Sequence, residues 1–283
     1  LAKQRTFNIA VVWPGDYEVV DLPFFQKCML GMSETTSEND YDIIISMVKG
    51  DDVRQLARII DNHKVDGVIL TRTLVHDAPA DYLKRQNIPF VAIGTSEDKS
   101  IVPVDNNHFE ACRELTETLI QKGMKRIALI GGRENHVITA TRYRGYEEAF
   151  NSMKAPLDNS LVYMNVDTEA KTARILEELR SKNVDCIICM DDSICSYVIK
   201  ECRDKGIKIP QDMKLASFYN STVLENANPS ITSLNFDDIG LGKMAAQTLL
   251  DIIDGKKISH NFAMGYEVIL KESTKEVTVI LPA

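Results

Sequence analysis

No stretch of this 283-residue chain approaches a run of roughly 18 apolar residues, so the sequence contains no membrane span. The opening LAKQRTFNIAVVWPG has neither an apolar core nor a small-residue cleavage site, so nothing marks it for export and a cytoplasmic location is expected. Basic residues are in deficit. The net charge is -8, and an acidic surface repels phosphate backbones, so this chain by itself is a poor nucleic-acid binder. The five histidines show no metal-ligand spacing. There is no G-x-G-x-x-G, Walker loop, H-E-x-x-H or G-x-S-x-G. GLG at Gly240–Gly242 leads into a helix and lacks a third glycine; IGG at Ile130–Gly132 follows a strand without the fingerprint. Asp191 and Asp192 are adjacent, and on a regular backbone their carboxylates do not converge as an acid–base pair. Neither catalysis, a cofactor nor a metal is expected.

The six cysteines invite a redox or metal reading, since Cys186 and Cys189 form C-x-x-C. That segment, VDCIICMDD, is a β-type apolar run whose alternate side chains point to opposite faces, so the two sulfurs diverge. Buried, reduced, structural cysteines are the expectation.

What is present is alternation. FNIAVVWP, YDIIISMV, VDGVILTR and IPFVAIG read as strands, separated by the helical stretches PFFQKCMLGMSETTSEND, DDVRQLARIIDNHK (with Asp51 or Asp52 near its N-cap) and PADYLKRQ. A second series follows, with helix HFEACRELTETLIQKG closed by Gly123, strand KRIALIGG, helix ATRYRGYEEAFNSM, strand SLVYMNV, helix TEAKTARILEELRSK, strand VDCIICMD, helix SICSYVIKECRDKG and strand MKLASFYN. The tail adds the helix DIGLGKMAAQTLLDIIDGKK and two late strands, EVILKEST and EVTVILPA. Strands alternating with helices of ten to fifteen residues mean βαβ units on parallel sheets. Two series mean two similar α/β lobes, crossing near VPVDNNHF with a cleft between them. The N-terminal lobe is expected over 8–106 plus 238–266 and the C-terminal lobe over 107–237 plus 267–283.

Ligands of open α/β sheets bind beyond the carboxyl ends of the strands, which selects WPGD, LTRT, GGRENH, MDDS and FYNS. The polar groups available suit a neutral polyol. Arg142 offers a rigid fork of donors for two vicinal hydroxyls. Asp192 and Asn220 exchange hydrogen bonds with hydroxyls. Trp13, Phe24, Tyr219 and Phe236 offer flat apolar faces to a sugar ring.

These segments, in this order, resemble the effector-binding core of LacI/GalR-type bacterial transcription repressors. The resemblance rests on NIAVVWP…DLPFFQKCMLGM, VDGVIL, IPFVAIG, VPVDNNHFEACRELTETLIQKGMKRIALIGG, RYRGYEEAF, CMDDSICSYVIKECRDKGIKIPQDMKLASF and NPSITSLNFDDIGLGKMAAQTLL. VILKEST is similar to the family's closing R-x-S-T, with Lys271 at the Arg position. The resemblance implies a two-lobed α/β fold of the periplasmic-binding-protein-like type I, a small-molecule effector in the cleft, and a homodimer. It also implies operator binding through an upstream helix-turn-helix that this chain lacks. Residues 1–7, with Leu1–Ala2, look like the end of a hinge helix, as in a truncated or proteolysed repressor.

Carried over residue by residue, the resemblance makes Arg142 the main ligand-gripping arginine, against the alternative of an exposed helix arginine; Arg144 faces elsewhere. Asp192 matches the second position of an acidic or amide pair, against the alternative of a helix cap, and the two roles are compatible. Phe24 either lines the cleft or is core. Phe236 stands where relatives often carry Gln. Asp105 either binds ligand or holds the crossover. Asp16, Thr71 and Thr73 are loop candidates. The departure is SFYN: many members have an acidic pair after this strand, and here Tyr219 replaces its first Asp. SFYNS is similar to the SFNNS of maltose-operon repressors from Gram-positive bacteria, which points to maltose or a related glucoside. The rival expectation is a transport-associated sugar-binding protein of the same fold.

Overall fold

The computed structural model describes residues 5–15, 23–96, 98–258 and 263–276. In chain order the strands are β1 (Asn8–Pro14), β2 (Asp42–Val48), β3 (Gly67–Leu70), β4 (Phe90–Ile93), β5 (Val102–Asn106), β6 (Ile127–Ile130), β7 (Val162–Tyr163), β8 (Cys186–Cys189), β9 (Lys214–Ser217), β10 (Thr232–Phe236), β11 (Ala263–Met264) and β12 (Tyr266–Ile269). The helices are α1 (Pro23–Glu38), α2 (Arg54–Asp61), α3 (Ala78–Arg85), α4 (His108–Gln121), α5 (Val137–Ser152), α6 (Glu169–Ser181), α7 (Asp192–Asp204), α8 (Thr222–Glu225) and α9 (Asp238–Ile253).

The chain divides into two compact units. Unit 1 holds the described residues up to Asn106, together with Asn135–Ile138 and Asp237–Gly265; unit 2 holds Asn107–Glu134, Thr139–Phe236 and the described residues from Tyr266 onward. The sheet of unit 1 runs β11-β5-β4-β3-β1-β2, parallel throughout. That of unit 2 runs β12-β10-β9-β8-β6-β7, parallel except for β12. The orders are equivalent, so the two-lobed parallel α/β reading is borne out.

β1 shows why the strands read as continuous apolar runs. Ile9 and Val11 join Ile69, Val91 and Val104 against Cys28 and Met32 of α1 and Leu241, Ala245 and Leu249 of α9. Their neighbours Ala10 and Val12 point the other way, into Leu56 and Ile59 of α2 and Leu83 of α3. Both faces are dry, so no polar alternation survives. β2, at the sheet edge, keeps exposed Ile45 and Met47.

Several local expectations are corrected. VPVDN is not only a crossover but the ladder strand β5, and ITSLN contributes β10. SLVYMNV yields only the two residues of β7 after a 3-10 turn. The place expected for Asp52 near the cap of α2 holds: Val53 is the cap residue, and Asp52 just before it accepts from Arg54 N. Gly123 does close α4, with φ +89°. EVTVILPA and Leu1–Ala2 lie outside the described residues. Among the described residues no helix is long and apolar enough to cross a membrane, and no group of His, Cys, Asp and Glu could hold a metal. All six cysteines are free and buried.

Candidate functional site

In each unit the strand order reverses between two neighbouring strands, β1 and β3 in unit 1 and β6 and β8 in unit 2. The carboxyl ends at such a switch point border the crevice where open α/β sheets take their ligands. In unit 2 that point carries Gly131–Gly132 and Met190–Asp191–Asp192. A Cβ on Gly131 would stand 2.4 Å from Met164 Sδ and 3.1 Å from Met190 Sδ, so this strand end packs closely on two methionines, whereas one on Gly132 would meet only ordinary contacts.

Arg142 reaches this point because of Gly145. A Cβ on Gly145 would sit 2.5 Å from Phe109 O and 2.9 Å from Cys112 Cβ, so only glycine lets α5 lie this close on α4. Arg142, three residues earlier, shares that side of the helix. Its Nη1 donates to Met190 O, while its Nε is buried with no hydrogen-bond partner. Arg144 is exposed.

Asp191, not Asp192, caps α7, accepting from Ile194 N at 2.8 Å. The expected double role of Asp192 is thereby divided. Asp192 is 5% exposed and its Oδ1 has no hydrogen-bond partner. Burial pushes both carboxyls above the usual range, opposed at Asp191 by the Ile194 N–H and at Asp192 by the nearby Ser221 hydroxyl. Ser221 lies close enough to favour the carboxylate, yet its Oγ completes no hydrogen bond.

β9 ends earlier than its apolar pattern predicts. Ser217 Oγ donates to Tyr219 O at 2.7 Å and accepts from Tyr219 N at 3.2 Å, a local turn that competes with the ladder. Phe218, Tyr219, Asn220 and Ser221 are nonetheless only 0–5% exposed. Loops are normally wet, because a dry one strands polar groups. Here Asn220 Nδ2 donates to Glu225 Oε1 at 2.7 Å, and Asn220 Oδ1 is left without a partner.

Phe236, at the end of β10, packs on the His108 ring with centroids 4.5 Å apart. Complete burial, and then the charge of Arg142, drive the His108 pKa well below its ordinary value, so the ring is neutral. Unit 2 therefore gathers Arg142, Asp192, Tyr219 and Asn220 at or beside its switch point, with Phe236 linked through His108. Sequence reasoning missed Ser221 and His108 as members. The one signal for Ser221 was its place in a strand end rich in small polar residues.

In unit 1, Trp13 and Thr71 stand at the β1/β3 switch point. Thr71 Oγ1 donates to Val12 O at 2.7 Å, which ties the two strand ends together. Trp13 packs on Phe25 at 5.8 Å, and Phe24 meets Phe25 edge-on at 5.1 Å while resting on the core. Thr73 is buried beside Gly94, where a Cβ would lie 2.9 Å from its Oγ1. Asp105 Oδ1 accepts from Asn106 N at 2.9 Å. Asp16 lies outside the described residues.

Two units of this strand order, with polar groups gathered at the strand ends, define an α/β protein of the periplasmic-binding type. Comparison with known proteins places it more closely. Residues 116–274 match the periplasmic binding protein-like domain family. The regulator MalR of Streptococcus pneumoniae is 28% identical over 96% of this chain and 84% of its own length. RegA of Clostridium saccharobutylicum is 25% identical over 97% and 83%. Among solved structures, the transcriptional regulator CelR–cellobiose complex superposes with TM-score 0.87 at 25% identity, covering 96% of this chain and 86% of that one. A probable maltose operon repressor malR from Staphylococcus aureus shares the fold with TM-score 0.90 at 22% identity, over 97% and 100%. The chain belongs to the periplasmic binding protein-like domain family, and the relatives it matches along most of its length are transcriptional regulators.

Proposed function

We propose that the chain is the sugar-sensing core of a transcriptional regulator and that its effector is maltose or a related saccharide. One observation carries this reading: Arg142 Nε, Asp192 Oδ1, Asn220 Oδ1 and Ser221 Oγ are all buried without a hydrogen-bond partner, on three neighbouring segments of unit 2. An unpaired buried group costs about 1–3 kcal/mol, and although Ser221 and Asp192 lie close enough to act on each other, the gathering of these groups favours a hydroxyl-bearing partner. One donor, two acceptors and a hydroxyl match a vicinal diol. The likeness to a probable maltose operon repressor supports a glucoside, and the CelR–cellobiose complex is a neighbouring fold carrying a disaccharide. The saccharide changes operator affinity of the full-length regulator, acting as a homodimer, only by the difference in its affinity for two conformations of the core. The chain binds and does not turn over its ligand.

Calorimetry against maltose, maltotriose, cellobiose, trehalose, sucrose, galactosides and purines tests this. A glucoside binds, and Arg142→Ala weakens it about 10- to 100-fold, the worth of a charged hydrogen bond. Binding of purines alone would overturn the saccharide reading. In unit 1, alanine substitutions of Trp13, Phe24, Thr71, Thr73 and Asp105 test whether that unit contributes to affinity.

A further inference from the structure

Ser221 occupies a helix-capping position without capping. Its backbone is extended, φ -142° and ψ 165°, directly before the four-residue α8, where a serine ordinarily accepts from a backbone N–H one turn on. No such bond forms. The side chain is 1% exposed, and its hydroxyl has no hydrogen-bond partner although Asp192 is its neighbour. A buried hydroxyl that forgoes a cap is available to a ligand.

The charges around it are unequal. Arg142 is the cation whose field reaches Asp191 and Asp192. Glu225 adds a third carboxylate through its bond to Asn220. His108 is neutral and adds no positive charge. Arg133, which follows Gly132, is paired with Asp167, so Arg142 is the cation that stands beside the carboxylates of Asp191, Asp192 and Glu225. Sites that take phosphate monoesters are built the other way, from arginines, lysines and backbone N–H groups. Here a dianion would meet acceptor oxygens that cannot donate to it.

Resting on the saccharide reading above, we propose that Ser221 is a ligand-contacting residue which, paired with Asp192, reads a sugar hydroxyl and makes the site select uncharged saccharides over their phosphate esters. The hydroxyl of Ser221 donates to the oxygen of a ligand hydroxyl, and the ligand O–H donates in turn to the carboxylate of Asp192. Asp192 sets the selection, because its carboxylate accepts from a hydroxyl and repels a phosphate.

Calorimetry with maltose, cellobiose and their 6′-phosphates is the test. The parent protein binds the better of the two neutral disaccharides at least 100-fold more tightly than its phosphate. Ser221→Ala weakens the neutral sugar about tenfold and keeps the melting temperature of the unliganded protein. Asp192→Asn, nearly isosteric, narrows the preference for the neutral sugar at least tenfold. Equal or tighter binding of the phosphate overturns the selection and leaves a saccharide sensor standing. Unchanged affinity in Ser221→Ala, with the fold intact, overturns the contact; should that variant unfold, an unchanged preference in Asp192→Asn overturns the proposal instead. Binding of none of the four sugars overturns this proposal, and failure of the whole saccharide panel overturns the saccharide reading with it.

Discussion

The tightest approach in unit 1 is between α1 and α9, and it depends on two glycines. A Cβ on Gly242 would lie 2.1 Å from Cys28 O and 2.9 Å from Cys28 Cα; one on Gly31 would lie 2.0 Å from Ile239 O. In Gly242→Ala the obstacle is main chain of another helix, so no side chain can rotate away. The helices must part until 2.1 Å becomes an ordinary contact beyond 3.4 Å. A separation of about 1 Å forfeits a quarter to a half of each dispersion contact along that seam. Cys28, Met32, Leu241, Ala245 and Ala246, all fully buried, line it. Overpacking of this kind costs about 3 kcal/mol at the upper end of its usual range. Alanine in place of glycine returns about 1 kcal/mol of helix propensity. The net loss is about 2 kcal/mol, which lowers Tm by about 4–8 °C for a unit of this size class.

The assay is built into the chain. Trp13 is the single tryptophan, 8% exposed, and belongs to unit 1, so its fluorescence follows the melting of that unit. Gly123→Ala is the control. Its φ is +89°, yet nothing lies within 4 Å of the new Cβ, so it meets only backbone strain of about 1–2 kcal/mol, and in unit 2. The Trp13 transition shifts less in the control than in Gly242→Ala. A Gly242→Ala protein that melts within about 1 °C of the parent, or above the control, refutes the packing argument.

Ser273 is fully buried; its Oγ donates to Leu215 O at 2.6 Å and accepts from Thr232 N at 2.9 Å. Ser273→Ala strands two backbone groups and lowers unfolding stability by about 2–4 kcal/mol, measured as a lower urea midpoint; a loss below about 0.5 kcal/mol would sink that account. His108 titrates below its ordinary 6.5 in the folded protein. Below that pH the unfolded imidazole binds a proton that the folded ring refuses, so stability falls as pH drops, by up to about 1.4 kcal/mol per unit. Asp191 and Asp192, raised by burial, act in the opposite sense nearer the carboxylate range. Comparing the parent with His108→Asn between pH 7 and 5.5 isolates the imidazole: the parent loses about 1 kcal/mol more, and parallel curves would contradict it.

The parallel sheets were legible because strands buried on both faces leave an unbroken apolar signature, as in Ile9–Trp13 and Cys186–Cys189. Thr232–Phe236 was read as a motif and not as β10 because its polar side chains are satisfied by distant ones. Thr232 and Thr274 share a hydroxyl contact at 2.6 Å, across forty residues of sequence that hide the pairing. The cap of α7 was misplaced by one residue because Asp191 and Asp192 are chemically equal, and only the extended backbone at Asp191, φ -147°, separates them.

The KLASFYNST segment shows most clearly what a pattern cannot supply. Its residues announce a polar strand end, which is a surface loop by default. The structure turns it into a dry wall, and the cause is local: Ser217 closes on Tyr219, Phe218 N donates to Cys189 O, and Asn220 is tied to Glu225. With one N–H of the Asn220 amide committed to Glu225, the atom of that side chain left without any bond is its acceptor oxygen, and the capping position of Ser221 stops predicting a cap. The donor and acceptor inventory that argues for a saccharide thus depends on which atoms the protein has already spoken for. Residue type alone would have allowed Asn220 to donate and Ser221 to close a helix, and the case for a neutral, hydroxyl-rich ligand would have been lost.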